Sequence, residues 1–352
     1  MLNEGKEGPA TVVFLHGVGG PEERGRWLGV LNRRLTTLDF PTLQAHTETF
    51  LEPEYLAALR SPDEDVVEPP KTWQKPEGKL YEQQKLDHFL RKQRMSHLLQ
   101  SRSNQAGGID LAFLPDGLLP TTVVDLLASD VRQYRTSSRH RHAVWQAVLA
   151  GLPKSGDLII IAYSLGSVIA ADLLDRLPLD VRVRLLLTVG SPLPIEGLRA
   201  HSRAIRDDFP YDRCQAWVNV LDPRDAVTCG RGISRNYSDA LDVPVNTGTS
   251  HDVAAYCNHP AVAAAVASAV FGEVLDAELE NVPAVRLSDS WNIPLLTFAY
   301  TWQVSATYSS AQWKSKMRFD AAREEMANRL LEAHDNGRPA AVTAPPSQPD
   351  LL

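Results

Sequence analysis

The run Leu158-Ile159-Ile160-Ile161-Ala162-Tyr163-Ser164-Leu165-Gly166-Ser167 constrains the fold of this chain more than any other segment. An apolar, β-branched strand ends there at a serine set between small residues. Val168 to Leu174 then continues at once with helical texture. Where a strand turns sharply into a helix the two backbones pass close together, so the flanking positions must be small. The pattern is that of a nucleophile elbow, G-x-S-x-G, with Ala162 in the first glycine position and Gly166 in the second. A methyl group is the smallest departure from glycine. The turn predicts that Ser164 is an activated nucleophile rather than a simple helix cap.

The surroundings repeat the strand-then-helix rhythm. Thr11 to His16 is β-rich and stops at Gly17-Val18-Gly19-Gly20, and Arg26 to Leu38 follows with a broad apolar helical face. A second strand is expected near Thr42 to His46. After the elbow come expected strands at 182–190, 215–221 and 242–246, with helices at 165–176 and 260–275. Apolar strands separated by helices indicate a mostly parallel sheet with helices on both faces. Between 51 and 141 the alternation lapses. Residues 61–78 combine prolines with acidic side chains and predict an exposed irregular loop, whereas helices are expected at 79–100, 121–134 and 140–149. A stretch of this length exceeds ordinary connections and is expected to cap the site. Beyond Asn281 the expectations are a strand or partly buried segment at 293–304, an amphipathic helix at 312–334 and a disordered tail from 336.

A serine hydroxyl needs a base to take its proton, and the base needs an acid to fix its tautomer. In folds with an elbow, acid and histidine follow the serine in chain order. The expected strand 215–221 runs into Asp222-Pro223-Arg224-Asp225, at the strand end where open α/β sheets place their sites. Asp222-Pro223 reads as the turn that opens this loop, which favours Asp225 as the acid and leaves Asp222 as the alternative. His251, in a loop of small residues after the last strand, is the expected base, with His259 as runner-up. The oxyanion donors are expected from the N–H groups of Leu165 and Val18, with His16 and Gly17 shaping the upstream loop and Gly166 the elbow.

The His16-Gly17 loop, the Ala162-Tyr163-Ser164-Leu165-Gly166-Ser167 elbow, Asp225 and His251 together resemble the α/β-hydrolase superfamily, in its lipase and esterase-like branch. The resemblance covers about 11–50 and 155–275. It implies an α/β-hydrolase core at 1–50 and 142–280, a largely helical cap or lid at 51–141 and a C-terminal extension at 281–335 packing on the core. It further implies a serine hydrolase that cleaves a carboxylic ester or a lipid acyl bond through an acyl-enzyme, with no cofactor. Amide cleavage by the same triad is a close variant. A scaffold that binds or regulates without catalysis, or one switched by a partner through helix 312–334, is the reading from another class.

Composition excludes other classes. The 352 residues are 43% hydrophobic and 22% charged with net charge −7, an ordinary globular balance without general attraction to nucleic acid. Three cysteines, Cys214, Cys229 and Cys257, suit buried free thiols better than a disulfide framework, and the histidines lack metal-ligand spacing. The basic run from Arg132 to His142 is expected to answer the acidic residues 63–68. Residues 1–10 have neither the basic nor the apolar region of a secretory signal, and no stretch reaches a membrane span. A cytoplasmic location with at most peripheral membrane contact is expected.

Overall fold

The computed structural model describes residues 9–18, 25–45, 47, 49–103, 129–248 and 251–271. Six parallel strands form one sheet: β1 (Thr11–Leu15), β2 (Phe50–Leu51), β3 (Ser155–Tyr163), β4 (Asp180–Val189), β5 (Trp217–Leu221) and β6 (Leu241–Pro244), in the order β2-β1-β3-β4-β5-β6. β3 and β4 are buried over most of their length, as their near-continuous apolar sequences require when helices cover both faces. The flanking helices include α1 (Arg26–Thr37), α2 (Leu56–Arg60), α3 (Lys79–Ser103), α4 (Ser129–Thr136), α5 (Ser138–Ala150), α6 (Leu165–Leu173), α7 (Arg203–Asp207), α8 (Val253–Cys257) and α9 (Pro260–Phe271).

Strand order reverses between β1 and β3. The chain runs outward from β1 to β2, returns to β3 and then proceeds stepwise to β6. A crevice opens beyond the carboxyl ends of the strands at such a switch point, and there His16 follows β1 while Ser164 follows β3.

A polar chain, buried except at Asp242, holds the other half of the sheet in register. Trp217 Nε1 donates to Thr188 Oγ1 (3.1 Å), Thr188 Oγ1 to Asn219 Oδ1 (2.9 Å) and Asn219 Nδ2 to Asp242 Oδ1 (2.8 Å). Asp242 also accepts the N–H groups of Ile233 (2.9 Å) and Ser234 (2.8 Å). Each member has its partner, so a slip of β4, β5 or β6 would leave buried polar groups unpaired.

Two expectations change. The strand near Thr42 to His46 is instead a 3-10 turn at Leu43–Ala45. Asn32 Oδ1 accepts the Leu43 N–H (2.9 Å), Ala45 N–H returns to Thr42 O, and the strand forms later, at Phe50–Leu51. Residues 61–78 are irregular, as expected, but are fastened down as a strap. Arg139 donates to the carbonyls of Pro62 and Asp63, Gln146 to that of Val67, and Arg176 to Pro69 O and Glu68 Oε1. Thr72 and Trp73 N–H both donate to Asp175 O, Lys71 pairs with Asp175 (2.8 Å), and Trp73 Nε1 donates to Asp212 Oδ1 (2.7 Å). Asp175 precedes β4 and Asp212 precedes β5, so this part of the strap lies at the amino ends of the strands, the end opposite Ser164. The basic run meets this segment mainly through backbone, where Arg139 donates to carbonyls. His142 Nε2 lies 3.8 Å from Glu68 with burial disfavouring its charged form, and the Glu68 carboxylate is paired by Arg176, which lies outside the run.

Of the long stretch 51–141, α3 lies against β6 and α9, while α2 and α4 pack on α5. The described parts are thereby committed to the body of the protein. Residues 104–128, and every expectation placed beyond 271, lie outside the described residues. Cys214 and Cys257 are buried free thiols and Cys229 is a partly buried one.

Asp172 on α6 is buried with Tyr134 and Trp145: Tyr134 Oη donates to Asp172 Oδ2 (2.7 Å), and Trp145 Nε1 donates to Tyr134 Oη (2.8 Å). Burial lifts its carboxyl to about 7, with the Tyr134 donor opposing. A carboxyl raised in the native state keeps its proton while the unfolded chain loses it, so stability falls as pH rises from about 4 to about 7. Asp172→Asn mimics the protonated acid and removes this slope. In chemical denaturation the difference in stability between variant and wild type should grow in favour of the variant over that window, by on the order of a few kcal/mol.

Candidate active site

Ser164 sits at φ 53° and ψ −124°, left-handed backbone that a residue with a side chain adopts at a cost. Its N–H donates to Val189 O (3.1 Å), extending the β3–β4 ladder by one bond, and its carbonyl accepts the N–H (3.0 Å) and hydroxyl (2.6 Å) of Ser167. Ser167 Oγ also lies 2.7 Å from Ser191 Oγ, which ties the elbow to the segment after β4. The strain is therefore held from both sides. Ala162 pairs with Leu15 and Thr188 in the sheet and its methyl is buried in the core, so extended backbone is all that position requires. Gly166 differs: a β-carbon there would lie 2.1 Å from Leu15 O and 2.7 Å from His16 O. Main chain against main chain cannot yield, and only glycine fits.

Leu165 is the first residue of α6, where a helix leaves its N–H groups without intrahelical acceptors. The same contact of α6 with Leu15 and His16 brings its first turn to the end of β1. A β-carbon at Gly17 would stand 2.9 Å from Ser164 Cβ. His16 fixes the start of this loop: its Nδ1 donates to Gly17 O (2.7 Å) and its ring stacks on Tyr55 (4.5 Å), whose hydroxyl donates to His16 O.

The two candidate acids part company. Asp225 is fully buried in the loop after β5, and its Oδ2 accepts from His251 Nδ1 (2.7 Å). Asp222, equally buried, accepts from the Arg224 backbone (2.9 Å) and side chain (3.1 and 2.9 Å) and from Thr247 N–H (2.8 Å) and hydroxyl (2.9 Å). Burial works to raise the Asp222 carboxyl, but the Arg224 and Thr247 donors outweigh it and bring it down to about 2. Asp222 is thus an anchor, ionised at neutral pH, that joins the ends of β5 and β6.

His251 stacks on Tyr163 (4.7 Å between rings, 22°), the residue before the serine. Its Cε1 lies 3.0 Å from the point a β-carbon on Gly190 would occupy, so Gly190, at φ +55°, makes room for the ring. His251 Nε2 is buried without a hydrogen-bond partner among the described residues, and no hydrogen bond joins it to Ser164 Oγ. His259 serves elsewhere. Its Nδ1 accepts the Ala261 N–H (3.2 Å) at the start of α9, and burial, then the Arg34 charge, lowers it to about 4.

Sequence reasoning passed over Tyr163, Gly190 and Tyr256, the last of which donates to Asp225 Oδ2 (2.9 Å). Tyr256 stands five residues after His251 in an alanine-rich stretch, where a tyrosine reads as core. Gly190, directly after β4, does carry a signal, since a glycine closing an apolar strand marks a turn or a close approach. No family model, curated protein or solved structure matches this chain.

The close approach at Gly166 has a measurable consequence. Gly166→Ala should cost about 3 kcal/mol or more in equilibrium unfolding, whereas Ala162→Gly should cost only about 1 kcal/mol.

Proposed function

We propose that this protein is a serine hydrolase of the α/β-hydrolase type that cleaves a carboxylic ester or a lipid acyl bond. The observation that carries the reading is the bond of partly exposed His251 to buried Asp225 (2.7 Å), with the imidazole stacked on the residue that precedes a backbone-strained serine at the switch point of a parallel sheet.

In this reading Ser164 Oγ attacks the carbonyl carbon while His251 Nε2 takes its proton. Asp225 keeps the other ring proton on Nδ1, which leaves Nε2 free to accept, and it stabilises the imidazolium that forms. The developing oxyanion is received by the Leu165 and Val18 N–H groups. His251 then gives its proton to the leaving alkoxide, and the resulting acyl-enzyme is hydrolysed by water that the same imidazole activates. Every group required for acyl transfer belongs to the chain, so the reaction calls on no cofactor.

The unmade bond between Ser164 Oγ and His251 Nε2 favours one alternative, a scaffold whose serine stays unactivated unless a ligand or partner draws the two together. Catalytic hydrogen bonds are often long without substrate, so the hydrolase reading accommodates the gap. No helix among the described residues is long and apolar enough to cross a membrane.

A fluorophosphonate probe decides between the two. The wild type should label and Ser164→Ala should not, and a folded wild type that stays unlabelled refutes catalysis. Nitrophenyl esters of increasing chain length then define the acyl preference. On the best of them Asp225→Asn should lower kcat by about 10⁴-fold, while Asp222→Asn should lower it less than about tenfold and show its loss mainly in thermal stability.

A further inference from the structure

Tyr256 lies on α8, fully buried, one helical turn beyond the loop that bears His251. Its hydroxyl makes two bonds of opposite sense. It accepts the Asp222 N–H at 3.0 Å and donates its single proton to Asp225 Oδ2 at 2.9 Å. That oxygen is also the one that receives His251 Nδ1–H, while Asp225 Oδ1 receives the Val227 N–H at 2.9 Å. Imidazole and phenol therefore share one carboxylate oxygen, and the backbone holds the other.

The geometry points to Tyr256 as a positioning residue that sets how strongly Asp225 holds and charges His251, an inference that rests on the hydrolase reading above. Two consequences follow from the shared oxygen. A donor on each oxygen, plus the second one on Oδ2, fixes the rotation of the carboxylate, so Oδ2 stays aimed at Nδ1. The phenol also draws part of the negative charge toward itself and moderates the pull on the imidazolium. Beyond this, Tyr256 completes a clamp. The histidine loop is gripped ahead of His251 by Thr247 on Asp222, and behind it by Tyr256 on both Asp222 and Asp225.

Among the described residues, the other titratable groups around the pair are Asp222 with its Arg224 partner, the Cys229 thiol with the Arg231 charge acting on it, the stacked Tyr163 and Asp252, which caps α8 through the Ala254 N–H. Of these only Asp222 touches the Tyr256 hydroxyl, and it does so through its backbone N–H, so Tyr256→Phe leaves every charged side chain around the pair in place.

The test is Tyr256→Phe in the full chain, with a nitrophenyl ester as substrate. kcat should fall about tenfold with KM within about twofold, and the acid limb of the kcat/KM profile should move to higher pH, because a carboxylate with one donor fewer favours the imidazolium more. A fall in rate with an unmoved limb, or a limb moved to lower pH, reduces Tyr256 to a structural filler and overturns the proposal. Incorporation of 3,5-difluorotyrosine at 256 keeps both bonds and strengthens the donor. It should move the limb to lower pH, and no movement counts against the idea even if the Phe variant fails to fold.

A second readout needs no turnover. The proton NMR resonance of His251 Nδ1–H, identified by its loss in His251→Ala, should move downfield in Tyr256→Phe, and an unchanged position overturns the inference. Should the wild type fail to react with the fluorophosphonate probe, the hydrolase reading falls on that result alone, while this resonance still decides whether Tyr256 governs the Asp225–His251 bond.

Discussion

The passage of α6 across the end of β1 is the contact on which the site depends. With only a hydrogen at Gly166, the first turn of the helix comes within backbone contact of Leu15 and His16. This brings the Leu165 amide to the loop after β1 and forces the chain at Ser164 into left-handed backbone. A helix even one methyl farther out would relax the serine and separate the two strand ends that the switch point juxtaposes. The strain at Ser164 and the reach of the glycine loop are thus two results of one packing distance.

The opposite wall of the crevice is organised by charge and hydrogen bonding rather than by close approach. Asp222 and Asp225, three positions apart in one loop, are both fully buried yet satisfied by different partners. The first is saturated by Arg224 and Thr247 and holds two strand ends together. The second turns one oxygen to the backbone and one to His251 and Tyr256. Beneath them, the chain from Trp217 through Thr188 and Asn219 to Asp242 keeps β4, β5 and β6 aligned, so both loops leave the sheet from fixed points. Buried polar groups that are all paired restrict the geometry more sharply than apolar packing does.

Local patterns with strict steric meaning were the most legible part of the sequence. The elbow, the parallel strands after it and the pairing of Asp225 with His251 all followed from residue size, apolar runs and chain order. The β2 segment was not legible, because two residues of strand carry no periodicity and Asn32, eleven positions away, diverts Leu43 into a turn. Residues 61–78 had the composition of a free loop; many of their anchors are carbonyl groups met by Arg139, Gln146 and Arg176, which leave no trace in side-chain composition, and the partners of Glu68, Lys71 and Trp73 lie more than a hundred residues away. Tyr256 was missed for a related reason. A tyrosine among alanines reads as core, and only its distance to Asp225 distinguishes a donor from a filler.

The strap has a consequence for the order in which the molecule can assemble. Its partners lie between 76 and 139 residues further along the chain, from Arg139 to Asp212. During synthesis, residues 61–75 leave the ribosome long before anything exists for them to bind, and they must stay unpaired until α5, α6 and the approaches to β4 and β5 have formed. β1, made earlier still, waits for β3 in the same way. The amino-terminal quarter of this protein is consequently made well before the segments that fix it, and the prolines and carboxylates of residues 61–78 keep that waiting segment soluble in the interval.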